Sequence, residues 1–150
     1  MKACEGQIGR VFVIRLEDGD VVPECIEHFA EEHKVLVGQA ILVGGIGGGN
    51  VVVGPRRSEE RPPIPMLLPI DGPHEVIGVG VIAPGENGKP ILHIHAALGR
   101  AGQTMTGCLR PGVATWLVGE VILYEILGAN VARIKDEQSG FELLEPGDNH

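Results

Sequence analysis

Two histidines, His93 and His95, stand in the stretch LHIHAALGRAGQTMTGCL (residues 92–109), and Cys108 follows them after a glycine-containing turn. Imidazole nitrogens and a thiolate sulfur together suit borderline-soft transition metals, zinc above all. Side chains alternate across a strand, so His93 and His95 share one face while Leu92, Ile94, Ala96 and Leu98 take the other. A turn centred between Arg100 and Ala101 sets His93 opposite Cys108, His95 opposite Thr106 and Leu92 opposite Leu109. Met105 and Leu109 then fall on the apolar face, which supports that pairing. A slip by two residues sets Cys108 opposite His95 and leaves it on the same face. Directly opposed side chains have Cβ atoms about 4.5–5.5 Å apart, so two imidazoles and a thiolate can close on one ion.

Three protein ligands leave a fourth position on a tetrahedral ion for water, a substrate or another side chain. Arg110 lies two residues past Cys108 and shares its face, where it could hold an anionic ligand or serve as an ordinary surface arginine. Glu120 and Glu125 interrupt an otherwise apolar strand, and a buried carboxylate wants a partner. Glu120 could be the fourth ligand, orient a histidine, or form a salt bridge between subunits; the sequence leaves these open. The competing reading of the whole hairpin is two surface histidines beside a cysteine that acts as a small hydrophobe.

The elements that must position these groups are mostly strands. GQIGRVFVIRLEDGD reads as a strand stopped by Asp18-Gly19-Asp20, and PHEVIGVGVIAP reads as another before the turn GENGK. VLVGQAILVGGIGGGNVVVG reads as two strands separated by the glycines of 44–49. The Pro-rich, charged stretch 55–72 is expected to be an irregular loop or a short edge hairpin. Two short strands are expected near Val131–Ile134 and Phe141–Leu144. One principal helix is predicted over about residues 23–34, with Pro23 in its first turn and Ile26, Phe29 and Ala30 as its apolar stripe. The fold class is therefore α+β, mainly antiparallel sheet with one helix, in a single domain over residues 1–150.

Residues 113–126 are apolar on both alternating faces, so both faces should be covered. One helix covers part of one face. The remainder is expected to meet another subunit, or the sheet folds on itself as a small barrel.

Charge and cysteine usage narrow the function classes. Lys plus Arg is 12 and Asp plus Glu is 20, a net charge of −8, which gives no general attraction to phosphate backbones or anionic membranes. Arg56, Arg57 and Arg61 share a loop, but Ser58-Glu59-Glu60 interrupts them. The glycines of GGIGGGN precede a strand, so they offer no helix N-terminus to a phosphate. Cys4, Cys25 and Cys108 form no CxxC pair, and MKACEGQIGR lacks the apolar core of a signal peptide. No apolar run reaches the roughly 20 residues that span a bilayer. A reducing cytoplasm is the expected compartment.

In order and spacing, GRVFVIRLEDGD, CIEHFAEEH, GIGGGNVVVG, GPHEVIGVGVIAP and KPILHIHAALGRAGQTMTGCLRPG resemble the plants-and-prokaryotes conserved (PPC) domain. The resemblance runs from about Gln7 to Leu144. It implies an α+β domain assembled as a homotrimer, of the stand-alone prokaryotic type, some members of which contain metal. In plants the domain follows an AT-hook in nuclear DNA-binding proteins; the AT-hook core Arg-Gly-Arg-Pro is absent here. Family members often carry His-x-His on one strand and Gly-Gly-His-Leu on the next, whereas this chain reads Thr106-Gly107-Cys108-Leu109. Cysteine is itself a zinc ligand, so the departure keeps a site but makes it more thiophilic.

The leading expectation is a homotrimeric, zinc-type metal-binding protein with His93, His95 and Cys108 as ligands, zinc or another divalent transition metal as cofactor, and a small molecule at the open position. One alternative is a zinc-dependent small-molecule hydrolase or lyase, with Glu120 as its base. Another is DNA binding by family analogy, which the net charge disfavours.

Overall fold

Strict alternation in Leu92–Leu98 predicts a strand with one buried and one open face, and the computed structural model, which describes residues 1–147, has that form. The elements run β1 (Gln7–Glu17), β2 (Val21–Val22), α1 (Glu24–Glu32), β3 (Gly38–Gly48), β4 (Asn50–Pro55) and β5 (Pro65–Pro69). They continue as β6 (His74–Pro84), β7 (Pro90–Arg100), β8 (Gln103–Leu109), β9 (Val113–Leu127), β10 (Val131–Lys135) and β11 (Glu142–Pro146). One sheet takes the order β1-β9-β3-β6-β7-β8-β4-β5, with β2 also pairing β9, and β10 with β11 forms a separate two-stranded ribbon. Every pairing is antiparallel. The fold class is α+β, as the sequence predicts. The expected edge hairpin is β4–β5, whose outer strand has prolines at both ends, where a missing N–H costs no ladder bond.

α1 is shorter than the predicted 23–34. It begins after Pro23 and stops because Lys34 turns to φ 57°. The Lys34 N–H then donates to Glu31 and the Val35 N–H to Ala30, which satisfies the last carbonyls of the helix. Ile26 and Ala30 are buried, and Phe29 meets Phe12 edge-on at 5.2 Å.

The buried face of the sheet forms one core with the helix, in which Leu42, Ile82, Ile94, Leu98 and Leu123 are fully enclosed. Each such side chain contributes about 1.5–3 kcal/mol relative to exposure. The sheet is not closed into a barrel, since β1 and β5 stand at its two edges. Its other face stays open in the single chain: Val13 is 82% exposed and Ile77 60%. Across that face, Val13, Ile122, Ile41, Val79, His95 and Cys108 lie in one row.

Of the two carboxylates on β9, Glu125 is buried and has a partner. Arg10 donates to it through Nε at 2.8 Å, Nη2 at 2.7 Å and its backbone N–H at 3.0 Å. These hydrogen bonds hold its pKa down at about 2 against an ordinary 4.5. A depressed folded-state pKa gives stability that is present above the ordinary value and lost as pH falls toward the folded one. The melting temperature is therefore expected to fall between about pH 5 and pH 2. The gap between the native chain and Glu125→Gln should be widest near neutrality and close toward the acid end. Parallel curves in thermal melts across that range would rule out this role for Glu125.

Candidate metal centre

β7 and β8 join through Ala101 and Gly102, with φ 51° and 80°, a two-residue turn whose twist matches that of the strands. The turn lies one residue later than the sequence-predicted centre, so Arg100 faces Gln103 and His95 faces Cys108. The pairing of His93 with Cys108 is corrected accordingly. The slip is even, so the cysteine keeps the face of the histidines.

The ligand atoms of His93, His95 and Cys108 lie within 4.8 Å of one another. The two Nε2 atoms are 3.1 Å apart and the rings are nearly perpendicular at 84°, a geometry in which they can share one proton or one metal ion. Zinc bonds of about 2.0–2.3 Å place tetrahedral ligands roughly 3.3–3.8 Å apart, so rotamer changes alone would close the group on an ion. Both histidines are exposed and Cys108 is half-buried between β7 and β4, where Val52 is its other neighbour. Partial desolvation of its ring pushes His93 below the ordinary imidazole range, and His95, Arg133 and Arg110 push the same way. The neutral ring is the form that binds metal.

The other residues singled out from sequence separate. Glu120 is exposed on β9, opposite Arg15 and Val43, and β3 and β6 lie between β9 and β7. Within one chain it is not brought to the three ligands. Arg110 follows β8 directly, its N–H donating to the Asn50 carbonyl at 3.2 Å. Arg61 is spent on its own loop, donating to the carbonyls of Ser58 and Glu60. His33 stacks on Phe29, and His74 is held at 2.8 Å by the Gly72 carbonyl. Cys25 is an inert thiol, pushed up to about 11 chiefly by burial.

Sequence reasoning missed Arg133. It is 4% exposed on β10, and its Nη2 donates to the carbonyl of Val81, the residue directly opposite His93, at 2.9 Å. Its Nε is enclosed and has no hydrogen-bond partner. No spacing in the sequence connects it to the hairpin. A cleft of about 610 Å³ between His74, Arg100, Gln103 and Trp116 lies away from the metal ligands.

The model of the Plants and Prokaryotes Conserved (PCC) domain matches residues 3–127. The chain belongs to this family. The match spans β1 to β9 and contains all three candidate ligands; Arg133 lies past its end. No curated protein matches the chain significantly. Among solved structures, a metal-containing protein from Archaeoglobus fulgidus is 26% identical with a TM-score of 0.84, over 97% of this chain and 99% of that one. A plant- and prokaryote-conserved protein from Pyrococcus horikoshii is 21% identical with a TM-score of 0.83, over 99% of each chain. A Bacteroides thetaiotaomicron protein, assigned DNA binding only provisionally, is 16% identical with a TM-score of 0.76, over 93% of this chain and 96% of that one. Among the described residues no helix is long and apolar enough to cross a membrane.

Proposed function

We propose that this chain is a metal-binding member of the PCC family, holding one zinc ion through His93, His95 and Cys108 in each subunit of a homotrimer. The observation that carries the reading is the convergence of two imidazoles and a thiol within 4.8 Å on an open sheet face. Bound zinc would supply Lewis acidity and an open coordination position. The metal-containing relative from Archaeoglobus fulgidus supports the same reading. Elemental analysis of the chain purified without a metal-affinity tag is the direct test. About one zinc per chain is expected; no metal after incubation with zinc would sink the site.

The trimer rests on the open sheet face. Val13, Ile77 and Val79 are exposed on the side that carries the ligands, and a contiguous apolar face of this kind is an interaction surface. Analytical ultracentrifugation is expected to give three times the chain mass of 15.9 kDa, and a monomer mass at micromolar concentration would refute the assembly. A hydrolase or lyase would need a general base, and Glu120 of the same chain is three strands away from the ligands. DNA binding finds no electrostatic support in a chain of net charge −8.

A further inference from the structure

We propose that the metal centre takes a carboxylate as its exogenous ligand, and that Arg133 and Arg110 are the residues that select it. This inference rests on the reading of His93, His95 and Cys108 as metal ligands.

The placement of the two arginines carries it. Val81 and His93 are directly opposed on β6 and β7. Arg110 lies two residues past Cys108, the last residue of β8 to pair with β7. Arg133 reaches the Val81 carbonyl from β10. Arg133 and Arg110 both act electrostatically on His93, the first enclosed and the second exposed.

Packing does not account for Arg133. A buried cation is costly unless paired and fully hydrogen-bonded, and this one keeps an unpartnered Nε inside the protein. A buried donor without a protein acceptor is one that a bound anion can use. The nearest carboxylates electrostatically are Glu142 and Glu27, and Glu27 already accepts the Leu92 N–H at 2.8 Å. A divalent ion bound through a single thiolate carries one net positive charge, which a monoanion would neutralise.

A carboxylate fits this site in charge and in shape. One oxygen can take the open metal position while the planar group faces a guanidinium fork, the geometry in which arginine outperforms lysine. A phosphate dianion carries more charge than the ion and its one thiolate leave over.

The test uses the full chain loaded with cobalt(II), whose visible bands report both the thiolate ligand and any change in the fourth one. Acetate is expected to shift the cobalt bands saturably. Arg133→Met should weaken acetate about tenfold, the loss of one charge-assisted hydrogen bond, and the exposed Arg110→Gln should weaken it severalfold, with cobalt affinity kept in both. Cobalt bound through the thiolate but blind to acetate, or equal acetate affinity in all three proteins, would overturn the inference while leaving the metal site standing. Phosphate binding more tightly than acetate would overturn the choice of carboxylate. Absence of the thiolate–cobalt band in the native chain would overturn the metal reading itself, and this inference with it. Should Arg133→Met fail to fold, Arg110→Gln alone decides, because its side chain is at the surface.

Discussion

Cys108→Ser is expected to bind zinc roughly 10²–10³-fold more weakly than the native chain while its metal-free form melts at nearly the same temperature. Structural zinc sites with four ligands bind with roughly 10–16 kcal/mol, so one ligand accounts on average for about 2.5–4 kcal/mol, and every 1.4 kcal/mol is tenfold. Serine keeps the shape of the side chain but supplies no thiolate. The metal-free fold asks little of the sulfur: it is half-buried and has a long 3.7 Å contact with the Leu109 carbonyl. Loss of affinity without loss of fold is what separates a ligand from a packing cysteine.

The same change should remove the stabilisation that zinc gives. Zinc at a thousandfold excess over its dissociation constant adds about 4 kcal/mol to a chain that binds it only when folded. That gain appears as a higher melting temperature in the native chain and shrinks in Cys108→Ser. His93→Ala should behave alike, and the double variant should lose less than the sum of the two, because the residues act on one ion. Isothermal titration with a competing chelator checks the affinities. Unchanged zinc binding in both single variants would dismiss the site and leave a half-buried thiol beside two surface histidines.

The shared face of His93, His95 and Cys108 was legible in sequence because strand alternation and the apolar partners constrain it. The register was not. Ala101-Gly102 forms the two-residue turn with positive φ at both positions, and Ala-Gly is a weaker signal for it than Asn-Gly. β5 was only half visible, since all five of its residues are exposed and so carry no alternation. The two-sided apolarity of β9 did announce a sheet face that a single chain leaves open. Glu125 announced a need for a partner, yet nothing local named Arg10, which is 115 residues away. Arg133 was invisible for the same reason: a ribbon past the end of the family match brings it to the hairpin, and only tertiary packing does so.

Gly107→Ala is expected to damage the fold more than most single surface or edge changes, at about 3 kcal/mol, the upper range for an overpacked site. A Cβ at Gly107 would lie 2.1 Å from the Val52 carbonyl oxygen, 2.7 Å from Val51 Cγ1 and 2.9 Å from the Val52 carbonyl carbon. Two of those three atoms are backbone, so rotamer changes cannot relieve the contact. β4 must move away from β8, and those strands are paired only through Val51 with Leu109 and Val52 with Cys108. The displacement would release β4 and the β5 strand that depends on it for its place in the sheet. Gly48→Ala is the matched control. It meets nothing within 4 Å and its backbone lies outside the left-handed region, so it should stay within about 0.5 kcal/mol of the native chain. For a chain of this size 3 kcal/mol lowers the melting temperature by about 6–12 °C. Equal melting of the two variants would show that β4 yields easily and that the close approach is not what holds the edge. Cys108 is the next residue, so zinc affinity should fall together with stability. Intact affinity in a destabilised Gly107→Ala chain would instead mean that the β7–β8 hairpin holds its ligands without help from β4.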